Sequence, residues 1–447
     1  MTAPGESPPA PSGDRPLLIR GGHVLTMDPD LGDIPGGDVL VAGGRIEAAG
    51  QGLAAPAGAD VLDAAGMIVA PGLVDTHWHM WNTLLRSMSA QASGYFRLSA
   101  GLGRAFTPGD LYQGTLLACA EAISSGITTV HDWCHNVRSP GHAEAGLAAH
   151  AEAGLRARFS YGCPAGHPPG EPMDLAGLRK LHQDWDSYAC GGRLSLGVAW
   201  RGPGGQGSPL PRVPGEIWRA EIGAARELGL PVTVHVSGPP SAGGQIATLA
   251  SAGVLGPDLQ VVHANCATAG EVGLLAGAGA PVTVSPFSEL LVGYGMPRAH
   301  EFAAAGVPVG LSVDTTALTG NADMFAIMKL TQGIACGLAG DEFALTARQA
   351  LELATIEGAR SLGLAAQTGS ITPGKRADLI LVATGEPNLC VFTDPVHMLV
   401  CAAQPANVDS VLVDGRFLKR GGQLTTLDIA RVQAGSCEAL AALRSRA

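Results

Sequence analysis

The sequence predicts an α/β protein: a (β/α)8 TIM barrel carrying a small β-sandwich domain built from both chain ends. Three observations carry this. Through the middle of the chain, apolar strand-like runs alternate with Ala- and Leu-rich helix-like segments. The alternation gives eight β-α units over roughly 300 residues, as expected for a barrel of about 250 residues with insertions. The two chain ends share short β-type segments, and neither end buries an apolar face alone. An open doubly wound sheet is disfavoured, because no Gly-x-Gly-x-x-Gly turn follows the first strand.

The elements follow in order. Met1 to Arg15 is rich in Pro, Gly and Ser and has no apolar core of the signal-peptide kind, so residues 1–16 read as a disordered leader. Leu17-Leu18-Ile19-Arg20, Val24-Leu25-Thr26-Met27, Val39-Leu40-Val41 and Arg45-Ile46-Glu47-Ala48 are strands separated by Gly21-Gly22 and Gly43-Gly44. Ala377 to Val382 and Val408 to Gly415 repeat the pattern at the other end. The expected divisions are therefore a sandwich over 17–66 and 369–424, a barrel over 67–368 and a C-terminal helix over 425–447. Barrel strands are expected to end at His79, His131, Tyr161, Trp200, His235, His263, Ser285 and Asp314.

Composition narrows the function. A net charge of −11, with Lys and Arg dispersed, argues against nucleic acid or an anionic membrane as the main partner and leaves a small molecule. No apolar stretch reaches the length of a membrane span. The nine cysteines are scattered, mostly in apolar surroundings such as those of Cys119, Cys336 and Cys401, and read as reduced thiols of a cytoplasmic protein.

The chemistry is concentrated at strand ends, where a barrel of this kind keeps its catalytic groups. Ile68-Val69-Ala70-Pro71-Gly72-Leu73-Val74-Asp75-Thr76-His77-Trp78-His79 closes an apolar run with two imidazoles at i and i+2. Alternation puts both on one face, with α-carbons about 6–7 Å apart, close enough to share an ion. Val232-Thr233-Val234-His235, Gln260-Val261-Val262-His263 and Val309-Gly310-Leu311-Ser312-Val313-Asp314 end three later strands in the same manner. One such histidine is most often a hydrogen-bonded core residue. Four, with a terminal Asp, are hard to explain so.

From Leu17 to Leu424 the chain resembles the mononuclear branch of the amidohydrolase superfamily, near the hydrolases of triazines, cytosine, guanine-type bases and S-adenosylhomocysteine. Ser285-Pro286-Phe287-Ser288-Glu289 resembles that group's Cys-Pro-x-Ser-Asn segment, and Gly310-Leu311-Ser312-Val313-Asp314-Thr315 its Gly-x-Gly-Thr-Asp-Gly. The resemblance implies a homodimeric hydrolase of a non-peptide C–N bond. It implies one divalent transition metal per chain, Zn(II) or Fe(II), on His77, His79, His235 and Asp314. Asp314 then serves as the proton acceptor, and His263 polarises the substrate. Binuclear relatives place a carboxylated Lys at the fourth strand's end; here Leu194 to Arg201 contains none.

One departure stands out. The deaminases of this branch follow the fifth-strand His with x-x-Glu, whose carboxylate protonates a ring nitrogen; here the run is His235-Val236-Ser237-Gly238. The sixth-strand His-x-x-His is likewise reduced, with Cys266 last. Amino-heterocycles are therefore expected to be poor substrates, and amides, lactams or amidines better ones. Replacement acids are sought in His131, His135 and Glu289, although His131 and Asp132 also read as a satisfied buried pair. Trp81 and Trp200, with Trp78 and Trp133, are expected as flat pocket walls; Tyr161 and Arg201 are expected to hold a polar substituent. The rivals are a non-hydrolytic elimination, cyclisation or decarboxylation at the same metal, and a binding scaffold on a dead barrel.

Overall fold

The computed structural model describes residues 15–90, 94–204 and 211–447. Most of the expected leader therefore lies outside the described residues. Its last two residues are held: Arg15 pairs with Asp60, and the Pro16 carbonyl accepts from the Asp60 amide.

Eight parallel strands form the barrel: Leu73–Trp78, Ile127–Cys134, Arg156–Gly162, Leu194–Trp200, Val232–Val236, Leu259–His263, Val282–Val284 and Val309–Leu311. Each pairs with the next in sequence. Being covered on both sides, they read as nearly continuous apolar runs rather than alternating ones. The closing seam between the eighth and first strands is a short bridge with an unusual address. The Asp314 amide donates to the His77 carbonyl at 2.9 Å, and the His79 amide donates to the Asp314 carbonyl at 2.6 Å. Below it, the buried Asp75 carboxylate accepts from the amides of His77 and Val313, both at 3.0 Å. Closing the barrel and assembling the histidine cluster are one event.

Nine strands from both chain ends make one mixed sheet. Leu17–Val24 pairs with Ile34–Ala42 and Met67–Pro71; Met67–Pro71 in turn pairs antiparallel with Leu379–Ala383. The small domain expected from both chain ends is thus built on this sheet, with a core of Ile19, Val39, Ile46, Val69, Leu381 and Leu412. The long run ending at His79 is two strands rather than one. Met67–Pro71 belongs to the small sheet, and the chain crosses into the barrel at Gly72 rather than at residue 67. A Cβ there would sit 2.0 Å from Thr128 Oγ1, so only glycine fits.

A buried ion network ties the two sheets. Arg156, at the base of the third barrel strand, donates through Nε and Nη2 to Asp378 at 2.6 and 3.1 Å, and through Nη2 to Asp414 at 2.6 Å. The C-terminal helix runs over Ile429–Arg446, capped by the Asp428 carboxylate. No described helix is long and apolar enough to cross a membrane.

Candidate metal centre and its cavity

The strand ends deliver His77, His79, His235 and Asp314 to one point, their ligand atoms all within 4.8 Å of one another. His77 Nε2 and His79 Nε2 each lie 3.3 Å from Asp314 Oδ1, and His77 Nε2 lies 3.3 Å from His235 Nε2. Donors about 2.0–2.1 Å from a tetrahedral ion stand about 3.3 Å apart, so the spacing is that of a coordination shell. The surroundings of three donors favour the state a metal needs. Burial pushes the His77 imidazole down to about 3 and His235 well below its usual value, which keeps both neutral. Burial alone would raise the Asp314 carboxyl. The neighbouring imidazoles of His77 and His79 outweigh it and hold the group well below the ordinary range. His79 Nδ1 donates to the Trp133 carbonyl at 3.1 Å, which leaves Nε2 bare towards the cluster.

Two of the site residues sit in strained backbone. His263 has φ 72° and Asp314 φ 63°, left-handed values that side chains other than glycine and Asn/Asp rarely adopt. Each lies where an apolar strand ends, and the reversal turns the side chain over the barrel mouth. His263 is held there from behind. Glu289 Oε1 accepts from its Nδ1 at 3.2 Å and from the Ser285 amide at 2.8 Å, while Glu289 Oε2 accepts from Asn265 at 3.0 Å. Burial lowers the His263 imidazole pKa, but the bond to Glu289 more than reverses this and sets it above the usual value.

The cluster opens into a cavity of about 320 Å³. His79, His235, His263 and Asp314 form its floor, and Trp133, Tyr95, Phe96, Val213, Val292 and Tyr294 form largely apolar walls. Of the expected pocket residues, His135, Trp133 and Arg201 reach it. Trp81 does not: it is buried against Phe106, its indole N–H donating to His135 Nδ1 at 3.4 Å. The same Nδ1 lies 3.5 Å from the Trp133 carbonyl.

The other expectations need correction. The second strand runs on to Cys134, so His131 sits a layer below the mouth, bonded to the Thr76 carbonyl, Gln260 and Ser160. Its neighbour Asp132 pairs with His150, not with His131. Tyr161 faces outward to Asp174, and Trp200 packs on Trp218. Arg201 lines the cavity, but its guanidinium is taken by Glu221 and by the carbonyls of Pro168 and Glu171. Glu289 lies behind His263 and touches no part of the cavity surface. Tyr95, Phe96 and Tyr294 come from the helix Gly94–Gly103 and the loop after Pro286–Leu291, and no motif in the sequence marks them.

Comparison with known proteins decides the lineage. The amidohydrolase family profile matches residues 68–418, from the strand before Gly72 to the small sheet's strand Arg416–Arg420. The chain belongs to the amidohydrolase family. It is a metal-dependent hydrolase of small molecules that acts on C–N bonds other than peptide bonds, and its metal is a divalent ion. This amidohydrolase is 30% identical over 431 residues to a 5'-deoxyadenosine deaminase of Methanosarcina mazei, covering 93% of this chain and 95% of the relative. It is 32% identical over 394 residues to a 5-methylthioadenosine/S-adenosylhomocysteine deaminase of Moorella thermoacetica, covering 81% and 84%. In fold it is similar to a zinc-bound adenosine deaminase of Xanthomonas campestris, with TM-score 0.83, 24% identity and coverage of 96% and 98%. The zinc complex of atrazine chlorohydrolase from Arthrobacter aurescens TC1 gives TM-score 0.82 at 21% identity, with coverage of 95% and 100%.

Proposed function

We propose that this amidohydrolase cleaves the C–N bond of a flat, uncharged small molecule at a carbonyl- or amidine-type carbon, using one zinc ion on His77, His79, His235 and Asp314. The observation that carries the reading is the cavity's charge inventory. Among the described residues lining it, Asp314 is the sole carboxylate, and the one Arg is already neutralised by Glu221. A charged substrate would meet no free counter-ion, whereas Trp133, Tyr95 and Phe96 offer faces to a planar one.

A metal held by His77, His79, His235 and Asp314 would supply a water ionised near neutral pH. Asp314 accepts a proton as the water oxygen joins the carbon, and later delivers it to the departing nitrogen. His263 donates from Nε2 to the substrate atom that becomes negative, its Nδ1 side fixed by Glu289. The scheme needs no second acid, which suits the glycine at position 238. Iron(II) in the same donor set is the alternative metal. The nine unpaired thiols support a cytoplasmic location, and the homodimer rests on the family resemblance.

A second reading has its own support: the relatives with about 30% identity are deaminases of 5'-deoxyadenosine-type nucleosides. Of the three candidate replacement acids only His135 lines the cavity, so on this reading it is the side chain that would hydrogen-bond the ring nitrogen. The test is a comparison at matched concentration of lactams, amides and amidines with 5'-deoxyadenosine and 5'-methylthioadenosine. Protein stripped by a chelator and reloaded with zinc is assayed beside the untreated sample. The first reading expects turnover of the carbonyl and amidine compounds, slow ammonia release from the nucleosides, and loss and recovery of activity with the metal. Efficient ammonia release from either nucleoside overturns it in favour of the second. Full activity without metal overturns both.

A further inference from the structure

The barrel floor, opposite the metal centre, holds a buried cation that no acid among the described residues neutralises. Arg158 lies on the third strand, and only 8% of its surface is exposed. Among the described residues its one hydrogen bond is from Nη2 to the Leu362 carbonyl, at the C-terminus of the helix Ile356–Ser361. Nε is fully enclosed without a partner, and among the described residues Arg158 makes no ion pair. A helix C-terminus contributes about half an elementary charge and does not neutralise a guanidinium. Burial accordingly pushes its pKa down to about 10, with no neighbouring charge opposing the shift. Natural interiors rarely leave a charge in this state.

Arg158 borders a second cavity, of about 450 Å³, where the fifth, sixth and seventh strands begin. Arg226 and Asp258 also line it and satisfy each other, Nε to Oδ2 at 2.7 Å and Nη2 to Oδ1 at 3.2 Å. Two guanidinium groups and one carboxylate leave the lining one positive charge in excess. Gln260 and Ser361 add polar surface.

We propose that this floor cavity is a binding site for a phosphate-type oxyanion, seated on the unpaired guanidinium of Arg158. Guanidinium N–H groups match the oxygens of phosphate in distance and plane, and Arg158 itself is buried. An occupant would join the third strand, three later strand starts and the helix end around Leu362, so its effect is on stability. The metal centre lies at the other mouth of the barrel and does not enter the inference.

The test is thermal unfolding of the metal-loaded full chain in inorganic phosphate, in ribose 5-phosphate, and in sodium chloride or ribose at matched ionic strength. A ligand of the folded state raises Tm by roughly 1.5 °C per tenfold increase above its Kd for a chain of this size. We expect that rise in phosphate and its absence in chloride, with Arg158→Met abolishing it and catalytic turnover unchanged. A rise with inorganic phosphate alone identifies the free ion as sufficient; a rise only with ribose 5-phosphate identifies a phosphomonoester. Asp258→Asn, which removes the one acid, should move the titration midpoint to lower phosphate, and it serves should Arg158→Met fail to fold. No rise beyond chloride, or an equal rise in Arg158→Met, overturns the proposal.

Discussion

Glu289 offers the sharpest test of how the site is held, because its carboxylate has no solvent contact and three donors converge on it. Ser285 N–H, His263 Nδ1–H and the Asn265 amide would all lose their acceptor in Glu289→Ala. Each buried donor left unpaired costs about 1–3 kcal/mol, and neighbouring losses do not add fully, so about 3–6 kcal/mol is expected. Glu289→Gln should lose only about 1–2 kcal/mol. Its carbonyl still accepts from Ser285 and His263, and Asn265, whose Oδ1 is buried without a partner, can turn to accept from the new amide. What Gln removes is charge. The Glu289 bond raises the His263 pKa, so the pair's stability is full below the unfolded histidine value and is lost as pH rises through the folded one. The stability gap between wild type and Glu289→Gln should therefore narrow with increasing pH. The alkaline limb of kcat/KM should move to lower pH in the same variant. Urea unfolding at several pH values and a pH–rate profile of the metal-loaded enzyme measure both. Wild-type stability in Glu289→Ala, or an unmoved alkaline limb in Glu289→Gln, would refute the reasoning.

Two further outcomes are expected. Asp378→Asn should destabilise the fold by about 3–5 kcal/mol in chemical denaturation, since it leaves the Arg156 guanidinium, 2% exposed, short of its main partner; a loss below 1 kcal/mol would show the network to be dispensable. Gly238 sits at φ 143°, so Gly238→Ala and Gly238→Glu should each cost about 1–3 kcal/mol, and the Glu variant should gain little activity on amino-heterocycles; unchanged unfolding in both would remove the conformational argument.

The barrel and the four clustered residues were legible because each rests on a local rule. A His-x-His at the end of a buried strand has its facing set by alternation, and the start of each β-α unit is marked by its own apolar run. The walls of the cavity were not legible, for two physical reasons. One is parity and depth. His131 and Trp133 point the same way along the second strand, but the strand extends three residues past His131, so Trp133 reaches the cavity and His131 stops beneath it. Tyr161 and Trp200 end their strands on the opposite parity and face Asp174 and Trp218 among the outer elements. The other reason is distance in sequence. Arg201 looks like a free guanidinium until the fold brings Glu221 and the carbonyls of Pro168 and Glu171 to it. Glu289 is called to His263 across 26 positions by a turn that no local motif announces.

The crossing at Gly72 also sets a timetable. The strand just before it, Met67–Pro71, takes one neighbour from Leu379–Ala383, while the barrel seam that aligns His77 and His79 waits for Asp314. Contacts of such long sequence separation form late, because the chain must be closed into a loop before they return any energy. During synthesis, His77 and His79 emerge early, yet the strand that steadies them is completed only when most of the chain is made. The four clustered side chains can therefore come together only after residue 314 has been made.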